Sequence, residues 1–484
     1  MIPGSLSPKT VDALRLWHDG AEELAMVEHN GIRVDVEYLA TQTADMRRDE
    51  AKLVDELKAG DVWTAWRRRF GLKANLDSRT QLGVVLFAEM KVPLPAGARL
   101  TKTGVLAADE EMLLKVKHPF AKRYLQLQKL RKARSTYLEG IAREVVDGHL
   151  HPFFNLHTVD TFRSSSSDPN FQNIPIRNAD VGNMVRRAFV ARPGRRLIEV
   201  DFSGIEVRVA ACYNKDPKLI KYICDPTTDM HRDTARDLFL LDEKQVDKRS
   251  TRDWAKNRFV FPQFYGSVWF QCAPHLWEAV ESSTALVPGT QTTVKEHLAG
   301  KGVTKLGLEF DRAGKPLPPA AGTFAKQVQK TEEAFWKSRF AVYTAWKRQW
   351  WDDYQRQGYF HTLTGFTVAG DLSRNQVLNY AIQGSAFHCL LWSLVRIQRE
   401  CRRRRMKTKI IGQIHDSILA DVPDGEVQQF LSIAKRVMTL DLLEAWKWLI
   451  VPLDVEADVT PVNGSWADKV PWKVDTHDVW SPVL

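Results

Sequence analysis

Between residues 197 and 209 the chain changes period. Four mostly apolar residues (LIEV) lead into Asp201, and a helix-like apolar pattern follows at Ile205, Val207 and Val209. This reads as a buried strand that ends in a carboxylate and turns directly into a helix. An aspartate after an apolar run is often only a turn or cap residue, so the stretch gains meaning from what else the chain supplies.

A second stretch, KIIGQIHDSILADV, complements it. Apolar segments at 410–414 and 418–422 flank His415 and Asp416 as the arms of a hairpin flank its tip. Hard divalent ions are held by one or two carboxylates together with substrate phosphates. Asp201 and Asp416, brought together, would make a two-metal phosphoryl-transfer centre.

The chain has 484 residues, 44% hydrophobic and 26% charged, which is ordinary for a globular protein and enough for several cores. A formal net charge of +10 suits a polyanionic partner, since Lys and Arg that neutralise phosphates release counterions. The five cysteines show no CxxC spacing, so neither a zinc site nor a disulfide framework is indicated. No signal peptide is read at the start, and no apolar run approaches the ~20 residues that span a bilayer. A reducing, cytoplasmic setting is expected.

DFSGIEVR around Asp201 resembles motif A of the family A DNA polymerases, and QIHDS around Asp416 resembles their motif C. Further matches follow in the family's order: TFRSSSSDPNFQNIPIR from Thr161, DMHRDTA from Asp229, RDWAKNRFVFPQFYGS from Arg252 and LNYAIQGSA from Leu378. The similarity runs from about Met26 to about Trp466. It implies an α+β right-hand fold, with a palm of antiparallel sheet and with fingers and thumb, largely helical outside the palm. The divisions implied are a helical segment over 1–75, thumb over 76–150, palm over 151–228, fingers over 229–360 and a second palm part with a C-terminal tail over 361–484.

The resemblance also implies roles. Asp201 and Asp416 would be catalytic, and with Phe202 they would form the site for two Mg²⁺ ions, with Mn²⁺ as a substitute. Glu206, His231, Arg252, Lys256, Phe261 and Tyr265 would bind the dNTP. Arg252 and Lys256, four apart, share a helix face and could hold a triphosphate; Glu206 would exclude a ribose 2′-hydroxyl. Counting forward from Lys256 puts the base-stacking position at Val260, and counting back from Tyr265 puts it at Phe261. Phe261 is taken, with one extra residue before it. Arg163, Gln172, Asn173, Arg177, Arg208, Asn379, Gln383 and His415 would contact primer-template DNA, although Arg208 reads equally as a surface ion pair.

The charge run Lys129, Arg131, Lys132 and Arg134 is either a solvated helix face or a phosphate contact, and the resemblance favours the latter. Arg402 to Arg405 reads as a DNA contact or a solvated helix end. The tryptophans at 336, 346, 350 and 351 read as core. Several positions depart from the family pattern: Phe162 stands where glycine is usual, Phe366 and Thr367 where arginines are usual, His388 where aspartate is common and Ser417 where glutamate is common. Pro262 should kink or restart its helix. Residues 267–323 read as plain surface decoration, with a fingers elaboration that touches template or a partner protein as the alternative.

The expected activity is therefore DNA-directed DNA synthesis. About two dozen residues precede the match, which leaves no room there for a proofreading exonuclease, so a chain without 3′–5′ proofreading is expected. Small size and the FVFPQFYGS variant resemble bacteriophage polymerases, implying phage genome replication in the host cytoplasm. A separate exonuclease subunit, a single-strand binding protein or a helicase-primase would be accessory partners, and no membrane is involved. The rival readings are a single-subunit RNA polymerase or reverse transcriptase, opposed by Glu206 and Phe261, and a catalytically silent DNA-binding scaffold, opposed by both aspartates with Arg252 and Lys256.

Overall fold

The structure, a computed structural model, describes residues 8–94, 98–101, 104–174 and 179–483. Arg177 lies outside the described residues.

Among the described residues, six strands form one antiparallel sheet: β1 (Arg195–Phe202), β2 (Lys409–Ile414), β3 (Ser417–Pro423), β4 (Val455–Val459), β5 (Val470–Val474) and β6 (Trp480–Pro482), in the order β6-β5-β4-β1-β3-β2. β1 is interior because alternate residues Ile198, Val200 and Phe202 are fully buried. The period of two then puts Glu199 and Asp201 together on the opposite face. β2 and β3 are the arms of the expected hairpin, with Ile414 opposite Ser417 and His415 and Asp416 as its two-residue turn.

The helices that matter for the site are α1 (Thr10–Asn30), α2 (Val36–Lys58), α3 (Asp61–Phe70), α4 (Pro119–Lys132), α5 (Ile205–Asn214), α6 (Met230–Phe239), α7 (Ala341–Gln357) and α8 (Arg374–Arg403). α8 is a buried spine: Ala381, Phe387, Cys389, Leu390, Leu394 and Ile397 all lie in the main core. α1 packs along it so closely that a side chain at Gly20 would meet Leu391. A second apolar core joins α2, α3 and α4 through Leu53, Trp66, Tyr124 and Leu127, and so runs across the expected boundary at residue 75.

One charge-run expectation changes. Arg131 and Arg134, expected to reach phosphate, instead pair with Glu50 at 2.7 and 2.9 Å, and Arg134 also with Glu139 at 2.6 Å. These ties brace α4 on α2; Lys129 and Lys132 remain exposed. Arg402 pairs with Glu23, and Arg403 and Arg404 with Glu400, while all four arginines from Arg402 to Arg405 stay exposed, as in the solvated helix end that is one of the two readings. The four tryptophans pack among aromatic side chains around α7, Trp346 stacked on Trp350 at 5.5 Å. In the 267–323 stretch, helix Trp269–Ser282 is part of the core rather than decoration, through Cys272, Leu276 and Val280. TTVKEHLAGKG contains the expected short helix, Val294–Gly300, capped by Thr293.

Candidate active site

β1 ends at Phe202, and α5 begins three residues later. The intervening turn needs Gly204, whose φ of 64° is left-handed. That turn leaves Asp201 at the strand's exit and puts Glu206 on the first turn of α5. Asp201 faces Ser417 on one neighbouring strand and Glu456 on the other, and the Phe202 N–H donates to the Asp416 carbonyl at 3.3 Å. The hairpin tip is thereby pinned beside the end of β1, and the two aspartates share the floor of one cleft.

This cleft has a volume of about 930 Å³ and is walled by α5, α6, α8 and the segment around Tyr265. Burial, then the charges of Asp416, Glu199 and Glu456, hold the Asp201 carboxyl well above its usual range. Burial also raises Asp416. Asp201 Oδ1 is buried with no hydrogen-bond partner. Two like charges forced together with an unpartnered oxygen form a donor set suited to divalent cations. Phe202 has a buried side chain, so its contribution to such a set would come from the main chain.

Ser417 is buried and donates to Glu199 Oε1 at 3.2 Å and to the Ile414 carbonyl at 3.0 Å. Glu199 also accepts from Trp466 Nε1 at 2.9 Å and pairs with Lys469. A carboxylate is therefore present near the position where relatives carry a motif C glutamate, but on β1 and already engaged.

The opposite wall is cationic and aromatic. Arg252 and Lys256 belong to a composite helix: Thr251–Ala255, a π-helical turn over Lys256–Val260, then Phe261–Phe264. The π turn absorbs one additional residue. Phe261 accordingly lines the cleft, while Val260 is fully buried. Pro262 sits in the first turn of the last segment, where its missing N–H costs little. Lys256 Nζ lies 5.4 Å from the Phe261 ring centroid, and His231 meets that ring edge-on at 5.7 Å. Arg252 Nε donates to Asp229 at 2.6 Å. Burial, followed by the charge of Arg252, lowers His231 to about 4, so its imidazole is neutral; its Nδ1 is buried and unpartnered.

Glu206 joins two elements. One oxygen is paired with Arg163 and the other accepts from the Tyr265 hydroxyl at 2.6 Å. Arg163, Asn379, Gln383 and His415 also line the cleft. Gln172 lies behind, donating to Ser164 Oγ at 2.9 Å and Gln413 Oε1 at 2.7 Å, and Asn173 is exposed beside it. Arg208 forms no surface ion pair. Its guanidinium donates to the carbonyls of Ser203, at 2.8 Å, and Pro452, tying the Asp201 turn to the segment before β4.

Sequence reading missed Glu199, Glu456 and Asp229 as parts of this site. The alternation in VEADV could have marked β4, but nothing local says that β4 lies beside β1.

A sequence profile described as DNA polymerase family A matches residues 44–287 and 323–468. Among similar curated proteins, the DNA polymerase I of Chloroflexus aurantiacus is 28% identical over 449 residues, covering 91% of this chain and 42% of that protein. The thermostable DNA polymerase I of Thermus thermophilus is 28% identical over 462 residues, covering 92% and 47%, and that of Thermus filiformis is 29% identical over 451 residues, covering 90% and 46%. The chain thus spans less than half the length of these relatives. In fold it is similar to the POL domain of Pol1 from M. smegmatis, solved in complex with DNA primer-template and dNTP, with a TM-score of 0.71 and 24% identity over 94% of this chain and 70% of that one. With the profile matching well over half of its residues, this chain belongs to DNA polymerase family A.

Proposed function

We propose that this chain is a DNA-directed DNA polymerase that adds dNTPs to a primer 3′-hydroxyl on a DNA template. The observation that carries the reading is the pairing of Asp201 and Asp416 on the cleft floor, with the buried Asp201 oxygen unpartnered, opposite a wall bearing Arg252, Lys256 and His231. Asp201, Asp416 and the Phe202 main chain would hold two divalent ions, Mg²⁺ or Mn²⁺, which when bound acidify the primer hydroxyl and stabilise the pyrophosphate leaving group.

The chain's own groups do the rest. Arg252 exchanges its contact with Asp229 for the triphosphate, and Lys256, one turn on, holds the same phosphates. Neutral His231 offers a ring N–H to a phosphate oxygen. Phe261 and Tyr265 stack on the base and the template, while Glu206, tethered from both sides, occupies the space a 2′-hydroxyl would need. Arg163, Gln172, Asn173, Asn379, Gln383 and His415 position primer and template, and Arg208 belongs to the same proposed surface; Arg177 is proposed as a further DNA contact from the sequence alone. The thumb would be the α2–α4 unit, the palm the sheet, and the fingers the composite helix with its neighbours.

We extend the proposal to synthesis without proofreading by this chain and to replication of a phage genome. Among the described residues no helix is long and apolar enough to cross a membrane. Primer extension with Mg²⁺ and dNTPs, beside Asp201→Ala, tests the core reading: extension by the wild type alone supports it, and equal extension by both refutes the metal site. Excision of a mispaired primer terminus by the purified chain would refute the absence of proofreading.

A further inference from the structure

Three departures from the family pattern, Phe162, Phe366 and His388, are distant in sequence and form one packed unit. The Phe162 and Phe366 rings lie 4.9 Å apart, and His388 stacks on Phe366 at 4.1 Å and 23°. Trp17 of α1 meets all three edge-on, at 5.9, 5.0 and 5.9 Å.

Polar atoms inside this unit form a directed chain. His388 Nε2 faces the Phe162 carbonyl at 3.1 Å and must donate, because a carbonyl only accepts. In a neutral ring Nδ1 is then an acceptor, satisfied by the Thr364 hydroxyl at 2.6 Å. Thr364 in turn accepts from Thr362 at 2.9 Å, and Thr362 from the Phe366 N–H at 3.0 Å. Burial lowers His388 to about 3, so the ring stays neutral. The aspartate common in relatives would have no donor for the Phe162 carbonyl at neutral pH.

What this unit holds is a strained turn. Phe162 has φ of 56°, the left-handed conformation that glycine adopts freely and phenylalanine does not. Its N–H is fixed by the Val159 carbonyl at 2.9 Å and its carbonyl by His388. The next residue is Arg163, whose guanidinium pairs with Glu206, while Nε reaches the Gln383 carbonyl at 3.5 Å. His388 itself does not line the cleft.

The geometry points to His388 as a positioning residue for sugar selection. By donating to the Phe162 carbonyl it locks the turn that delivers Arg163 to Glu206, and so fixes the carboxylate that a 2′-hydroxyl would meet. This rests on the reading of Glu206 as the group that excludes ribose.

The test compares two amides. In His388→Gln the amide nitrogen lies about where Nε2 lies and can still donate to Phe162. In His388→Asn the amide stops at the Nδ1 position, meets Thr364 and falls short of Phe162. Both lose the stack on Phe366, so both lower Tm alike. The readout is the ratio of kcat/KM for a dNTP to that for the matching rNTP, with Glu206→Ala as control. His388→Asn should reduce the ratio about tenfold, the size of one lost hydrogen bond to a buried carbonyl, and His388→Gln should stay near wild type. If His388→Asn fails to fold, His388→Met, which keeps the length and apolar packing of the side chain but has no donor for the Phe162 carbonyl, should give the same loss. Equal ratios in His388→Asn, His388→Gln and wild type, with a collapsed ratio in Glu206→Ala, would overturn the role of His388 alone. An unchanged ratio in Glu206→Ala would overturn the sugar reading and this inference with it.

Discussion

Gly384→Ala probes how tightly the Arg163 loop is seated. A Cβ at this position in α8 would lie 2.5 Å from the Thr161 carbonyl oxygen, some 0.9 Å inside ordinary contact. α8 cannot give way, because Ala381, Ser385, Ala386 and Cys389 are buried on several of its faces. The loop must therefore lift, carrying Arg163 two residues on. Overpacking of this kind costs ~1–3 kcal/mol, and at ~2–4 °C per kcal/mol Tm should fall by ~2–12 °C. The effect on rate should be larger, since a displacement of ~1 Å at a positioning group can cost ~100-fold. Single-turnover dNTP incorporation, DNA binding by fluorescence anisotropy and thermal melting would be measured together. We expect slow incorporation, a DNA affinity weakened by no more than the loss of the one Arg163 contact, and a Tm loss. Full rate with a lowered Tm would show that the loop moves without consequence for Arg163, and full rate with unchanged Tm would refute the close approach itself.

Glu199 supplies a pH prediction. Burial opposes its ionisation, but Lys469 and Trp466 prevail and lower its folded pKa. Its stabilising contribution is thus complete above the unfolded value of ~4.3 and is lost as pH falls through the lower folded value. Glu199→Gln should lower Tm by a roughly constant amount above pH ~6, where the lost contribution is complete, and flatten the acid limb of a Tm-versus-pH curve; an unchanged acid limb counts against the pairing. Val260→Ala should lower stability by ~2 kcal/mol with an unaltered dNTP KM, and Phe261→Ala should do the reverse; the opposite pattern would mean that the helix register is one residue off. On the thumb, Lys129→Ala and Lys132→Ala should each make the salt dependence of DNA binding shallower by up to ~0.9 in log–log slope, whereas Arg131→Ala should act on Tm through the lost tie to Glu50. Equal salt slopes for wild type and both lysine variants would remove α4 from the DNA surface.

The parts of the site that were legible in sequence are those set by short-range pattern. Asp201 and Asp416 each sit where an apolar run breaks, and the hairpin tip could be placed because both of its arms are local. Glu206, Arg252 and Lys256 came from the resemblance to the family's motifs, with which the strand-to-helix turn and the four-residue spacing agree. What sequence could not provide are relations across the sheet and across the core. Glu456 and Glu199 approach Asp201 only through strand order, and Arg131 finds Glu50 only once α4 lies on α2. His388 looked uninterpretable because its partners, Phe162 and Phe366, belong to separate segments. The one-residue ambiguity at Phe261 was visible in sequence, but its cause, a π turn, depends on backbone hydrogen bonding that composition does not dictate.

That π turn also divides the composite helix into two phases. Each residue of an α-helix advances about 100° around the axis, so one additional residue re-indexes everything beyond it while leaving everything before it aimed as it was. The half proposed to grip phosphate and the half proposed to meet the base are therefore clocked separately, as two dials on one shaft. On the proposed reading, substitutions around Phe261 should retune which base pair or sugar the cleft favours while leaving Arg252 and Lys256 aimed as they are.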